Sequence, residues 1–238
     1  MSNYDSNSAT GSNVELPVLP LYLVTDRSQS MGCLSEGYSN FHLTFRNQYI
    51  ERLDIGTRVA LTTVGFDDEY RMGADFADMT KAWLVKYPFD LWGFTKSYRE
   101  GLMGLMNVLN YHAEKVRLYP RPVMGPLAFF VTCAGRVEDD WSEALGLLRA
   151  RESWCPQVAC FFFDGDEDNL REAAAAGSAG QAGLMMQSLV TPPHFYPYSD
   201  ASELFSGLLS SLTLSIEASV VGGSAVIVPP AVGGVRRG

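Results

Sequence analysis

Four stretches of this chain are apolar or β-branched almost end to end: Leu19–Thr25 (LPLYLVT), Thr57–Phe66 (TRVALTTVGF), Leu127–Thr132 (LAFFVT) and Val158–Phe163 (VACFFF). A strand with one wet face alternates apolar and polar residues. These hardly alternate, so each must be covered on both faces, the condition of a parallel sheet between layers of helices. The segments between them supply the helices. In residues 39–53, Phe41, Phe45, Tyr49 and Leu53 recur at four-residue spacing behind Ser39 or Asn40 as N-cap. A long helix is expected from Lys96 to Val116, with Tyr98, Leu102, Leu105, Met106, Leu109 and Ala113 on its apolar face. Asp139 or Asp140 would cap a further helix carrying Trp141, Ala144, Leu145 and Leu148, and Leu170–Ala176 would form another, ending at Gly177.

Glu69–Phe76 is expected to pair beside the second strand after a turn at Asp67-Asp68. Leu184–Gln187 reads as a short last strand and Ala201–Ile216 as the final helix. Strands separated by helices imply right-handed crossovers, hence an α/β, doubly wound, mostly parallel central sheet flanked by helices. Sites in such folds form at the carboxyl ends of the strands. The expected organisation is a flexible leader of Ser, Asn and Gly over residues 1–16, one folded domain over 17–216, and a flexible tail over 217–238.

Composition narrows the function classes. A hydrophobic fraction of 47% provides for a large core, and the formal charge of −9 comes without any basic stripe, which argues against nucleic-acid binding. No uninterrupted apolar stretch approaches the roughly 20 residues of a membrane span, and the first 16 residues lack a signal-peptide pattern. Cys33, Cys133, Cys155 and Cys160 have no framework spacing, which suggests reduced thiols and a cytoplasmic setting. With no Cys-x2-Cys pair and with His42, His112 and His194 scattered, a zinc site is not expected. The histidines read as structural or surface groups, His194 within a Pro-rich loop over 191–197.

The chemistry concentrates after the first strand. Asp26-Arg27-Ser28-Gln29-Ser30 places a carboxylate and two hydroxyls at i, i+2 and i+4, hard oxygen ligands suited to Mg²⁺. Two further loops follow: Trp92-Gly93-Phe94-Thr95 before the long helix, and Val131-Thr132-Cys133 followed by Asp139-Asp140-Trp141. In this order the three resemble the metal-ion-dependent adhesion site (MIDAS) of von Willebrand factor A domains, in particular the compact bacterial TerY-like domains of tellurium-resistance systems. There the third stretch reads Leu-Thr-Asp-Gly…Asp-Asp-Trp. The resemblance implies Asp26, Ser28 and Ser30 as first-loop ligands, Thr95 as a second-loop ligand, and Mg²⁺ or Mn²⁺ as the ion.

At Cys133 the sequence departs from that pattern, because the second aspartate is expected there. A thiol is no hard ligand, and a thiolate prefers softer ions. Three outcomes stay open: an empty site, a site completed by a partner's carboxylate, or a substitute acid, with Asp164 first and Asp166 and Asp168 beside it. Arg27 and Gln29 also depart, standing where a small residue and Gly are usual; a guanidinium at that rim would bind a partner's acid or oppose the cation. Local capping is the alternative for Ser28, Ser30, Thr95 and the acidic turn.

The resemblance implies an intracellular protein-binding module whose partner's Asp or Glu enters an open coordination position, or a metal-independent scaffold using the same edge. It also implies bacterial stress and tellurium-resistance systems, with a kinase, a phosphatase or a Ter-type stress protein as partner. A second reading is a Mg²⁺-dependent phosphohydrolase with Asp164 as nucleophile and Asp166 as general acid, although only about 70 residues follow that turn. An EF-hand fails there, with Asn169 at loop position 6 and Ala175 at position 12. No nucleophile elbow, Walker loop or dinucleotide fingerprint follows a predicted strand. Trp83, Trp92 and Phe94 are candidates for a docking patch.

Overall fold

In the computed structural model, which describes residues 15–81, 96–137, 140–177, 180–190 and 194–231, the apolar runs become neighbouring strands. The chain runs β1 (Leu19–Asp26), a 3-10 turn (Gln29–Leu34), α1 (Ser35–Ile50), α2 (Leu53–Gly56), β2 (Val59–Phe66), β3 (Tyr70–Met72) and β4 (Ala77–Asp78). It continues through α3 (Tyr98–Val116), β5 (Leu127–Cys133), α4 (Ser142–Arg149), β6 (Gln157–Phe163), α5 (Glu167–Ala175), α6 (Gln181–Leu189), β7 (Phe195–Tyr198) and α7 (Ala201–Gly222). Among the described residues these strands form one seven-stranded sheet in the order β3-β2-β1-β5-β6-β7, with β4 also on β2. The β2-β1-β5-β6-β7 core is parallel, and β3 and β4 are antiparallel additions at one edge. This is the doubly wound α/β arrangement the sequence predicts.

Every residue of β1, β2 and β5 is buried. The pleat sends Leu21 and Leu23 to one face, where they meet Phe41 and Phe45 of α1 and Leu208 and Leu212 of α7. Tyr22 and Val24 go to the other, against Leu102 and Leu105 of α3, Leu145 of α4 and Met185 of α6. Each such side chain contributes about 1.5–3 kcal/mol by leaving water.

Several boundaries differ from expectation. Leu184–Gln187 lies inside α6, not in a strand, because Ala182, Met185, Met186 and Leu189 form a helical stripe against the sheet. The last strand is instead Phe195–Tyr198, within the segment expected to be a loop; it lies at the sheet's edge, where Pro197 is tolerated. Leu53 falls outside α1 and is 61% exposed. The N-cap of α3 is Ser97, whose Oγ accepts the Glu100 N–H at 3.1 Å, so the helix begins at Tyr98 rather than Lys96.

Helix α7 continues past Ile216 to Gly222 and stops at Gly223, whose φ of 72° suits a residue without a Cβ. It is long and apolar enough to cross a membrane by length and composition alone; interspersed serines hide this from a search for unbroken apolar runs. Here its stripe Leu204, Leu208, Leu212, Ile216 and Val220 lies in the core.

Candidate functional site

Strands β1 and β5 pair in parallel through Thr25 and Val131, so Asp26 and Thr132 emerge side by side at the carboxyl edge. Connections from β1 and from β5 run to opposite sides of the sheet, which makes this the switch point where a crevice opens. Asp26 is 1% exposed. Its Oδ1 accepts the Ser28 N–H at 2.8 Å, and its Oδ2 accepts the Thr132 hydroxyl at 2.6 Å. That same Oδ2 lies 3.0 Å from the ammonium of Lys96, also buried.

Lys96 Nζ donates further to the Cys133 carbonyl at 2.6 Å and approaches Cys133 Sγ at 3.4 Å. Burial opposes charge on this lysine, but the Asp26 carboxylate overcomes it and carries the pKa above the ordinary lysine value. Tyr98, two residues further on, places its hydroxyl 3.2 Å from Thr132 Oγ1. A Cβ at Gly135 would stand 3.2 Å from both Lys96 Nζ and Ser30 Oγ. Glycine there lets the backbone after β5 close over the ammonium.

The hydroxyls of Ser28 and Ser30 share a hydrogen bond of 2.7 Å. The Ser30 carbonyl collects three donors: Cys133 Sγ at 3.2 Å, Asn169 Nδ2 at 2.8 Å and Cys33 Sγ at 3.5 Å. Burial raises the Cys133 pKa, so position 133 carries a neutral thiol. Asp166 accepts the Asn169 N–H at 2.9 Å as N-cap of α5, which fixes Asn169 against Ser30. Above them opens a cleft of about 350 Å³, lined by Ser28, Ser30, Lys96, Arg136, Asp166 and Asn169 among others.

The residues read from the sequence therefore fall unevenly. Asp26, Ser28, Ser30 and Cys133 converge. Thr95 lies outside the described residues, as do Asp139, Trp83, Trp92 and Phe94. Asp164 turns away from the cleft: its Oδ1 accepts the Ser199 hydroxyl at 2.7 Å and its N–H bonds the Tyr198 carbonyl. Asp164 and Asp166 thus do not share a pocket, and Asp166 is occupied as a helix cap. Arg27 is not at the rim. It is 2% exposed and folded across Gly65 of β2; burial raises the pKa of the Asp67 carboxyl, and the Arg27 charge only partly opposes that rise. Sequence reasoning placed Thr132 in the third loop without giving it a role, and missed Lys96 and Asn169 as site residues. The available signal was a lysine immediately before the N-cap of a helix that starts at the site edge.

Do these residues fit a divalent ion? Asp26 already serves a backbone N–H, a hydroxyl and an ammonium. Cys133 brings no charge. A dication about 4 Å from the Lys96 ammonium would meet a repulsion of about 8 kcal/mol at an effective dielectric of 20. Among the described residues no group of three or more His, Cys, Asp and Glu is placed to hold a metal. As arranged among the described residues, Asp26, Ser28, Ser30 and Cys133 do not fit the Mg²⁺ or Mn²⁺ that the sequence resemblance implies.

No known family's sequence profile matches this chain, and no curated protein matches it. Its fold is nevertheless similar to solved structures. The pilus adhesin SpaC from Lactobacillus rhamnosus GG, in its open conformation, matches at a TM-score of 0.58 and 12% identity over 84% of this chain and 30% of that one. Proximal thread matrix protein 1 from the mussel byssus matches at 0.57 and 12% identity, over 86% of this chain and 49% of that one. A further structure of the mussel protein, with a zinc-occupied MIDAS motif, matches at 0.50 and 15% identity over 91% of this chain and 48% of that one. This chain spans about half or less of the length of each.

Proposed function

We propose that this chain, whose fold is that of the von Willebrand factor A domains, is a protein-binding module that works without a metal ion. The observation that carries the reading is the open cleft at the carboxyl edge of β1 and β5, whose polar lining includes Ser28, Ser30, Arg136 and Asn169. Clefts at a switch point in a parallel sheet are where such folds take ligands. A partner's Asp or Glu fits the Ser28–Ser30–Arg136 side: two hydroxyls and a guanidinium hydrogen-bond a carboxylate in a bidentate or shared fashion. Asp166, Asp168 and Glu172 on the opposite wall would repel that acid and so fix its approach.

Four unpaired thiols support an intracellular, cytoplasmic setting. A role in a bacterial stress or tellurium-resistance system, next to a kinase, a phosphatase or a Ter-type protein, rests on the resemblance of the loop sequences alone. The phosphohydrolase reading has no comparable support, since Asp164 is engaged by Ser199 away from the cleft.

The test is affinity capture from the native cell with the full chain, with and without chelator, beside a variant carrying Ser28→Ala and Ser30→Ala. Chelator should leave the captured partner unchanged, while the double variant loses it and keeps its melting temperature. Capture that depends on added divalent ion would refute the metal-free reading. A collapse in stability of the double variant would assign the two serines to local capping.

A further inference from the structure

We infer that the ammonium of Lys96 is the resident cation of this site, tethered to the chain in place of a divalent ion. The departure at Cys133 and the buried Lys96, which look unrelated in sequence, then belong together. A dication between two aspartates balances two positive charges against two negative ones. Here an ammonium and a neutral thiol replace the ion and the second aspartate, leaving one positive charge against one negative, Asp26. Cys133 is thus the neutral partner that a singly charged cation requires. An aspartate at 133 would leave a buried negative charge uncompensated.

Hydrogen bonding supports the same assignment. The three N–H bonds of an ammonium point to Asp26 Oδ2 at 3.0 Å, the Cys133 carbonyl at 2.6 Å and Cys133 Sγ at 3.4 Å. Those acceptors belong to β1 and β5, and Lys96 itself sits at the head of α3, so one cation ties three elements at the edge. The thiol is a weak acceptor, and the N–H aimed at it is the one an incoming carboxylate would take. The inference concerns the isolated chain and holds whether or not a partner docks, so its failure is separable from failure of the binding reading.

The experiment titrates the full-length chain with MnCl₂ by calorimetry and follows melting with and without EDTA. Wild type should bind no Mn²⁺ and melt unchanged in EDTA. Cys133→Asp alone should also bind none, because the ammonium still holds the place. Lys96→Met should melt lower than wild type. Lys96→Met combined with Cys133→Asp should gain Mn²⁺ binding and melt higher when Mn²⁺ is added. Wild-type Mn²⁺ binding that disappears in Asp26→Asn would overturn the inference. So would Mn²⁺ binding by Cys133→Asp as tight as that of the double variant, a folded double variant that ignores Mn²⁺, or a Lys96→Met protein that melts like wild type. Should the double variant fail to fold, wild type and Cys133→Asp decide the matter between them.

Discussion

His42 shows what one turn of helix does to a titrating group. It lies on α1, stacked on Tyr38 with ring centroids 6.4 Å apart, and Arg46 follows one turn later. Burial, with Arg46's charge adding to it, pushes the imidazole pKa down to about 4. The unfolded chain, with an ordinary imidazole near 6.5, takes up the proton first as pH falls. His42 therefore supports the fold fully above about pH 6.5, and that support drains away toward pH 4. Because the side chain is partly open to water, the loss should be about 2 kcal/mol rather than the full shift. Thermal melts at pH 7, 5.5 and 4.5 should show this decline in wild type and a flatter profile in His42→Gln; parallel profiles would mean His42 is not the group responsible. The same scale separates what was legible at the site. Asp26, Ser28, Ser30 and Cys133 could be read from loop position alone. Arg27 could not, because only the packing of β2 against β1 brings Gly65 beneath its side chain.

At the scale of elements, α7 carries a feature that a search for apolar periodicity passes over. Ser211, Ser215 and Ser219 recur every four residues on one buried face and are each fully buried. They bond the backbone that follows the helix: Ser211 Oγ donates to the Val228 carbonyl at 2.6 Å, Ser215 Oγ accepts the Val228 N–H at 2.8 Å, and Ser219 Oγ accepts the Val226 N–H at 2.9 Å. Ile227, between the two bonded residues, enters the core. Residues 223–231, which composition alone marks as a loose Gly, Val and Pro segment, are thus held along the helix by side-chain hydrogen bonds. Ser215→Ala and Ser219→Ala should each cost about 1 kcal/mol or more, since each leaves a backbone N–H without its partner. Hydrogen exchange of the Val226 and Val228 amides should accelerate in the matching variant; unchanged exchange would show that Ile227 burial alone holds the segment.

For the whole molecule, the four thiols report whether the two-layered core is intact. Cys133 and Cys160 are buried on opposite faces of the sheet, whereas Cys33 and Cys155 are at the surface. The Cys33 sulfur turns inward toward the Ser30 carbonyl, and burial pushes its pKa up to about 12. A disulfide reagent followed by peptide mass spectrometry should label Cys155 first and Cys33 slowly, with Cys133 and Cys160 labelled only in denaturant. Early labelling of Cys133 in buffer would mean that the Lys96–Asp26 edge opens under native conditions.

The sequence by itself determined the sheet and its layers. Runs that do not alternate demand cover on both faces, and the helical stripes between them could supply only that cover. It also placed the first loop at the strand end where ligands bind. The tertiary structure decided the charge balance. Asp26, Lys96 and Cys133 are far apart along the chain, and whether a carboxylate meets an ion, an ammonium or water depends on which side chains the crossovers deliver to one spot. Local spacing carries no record of that distance, so Lys96 passed as the start of a helix until the strands were assembled around it.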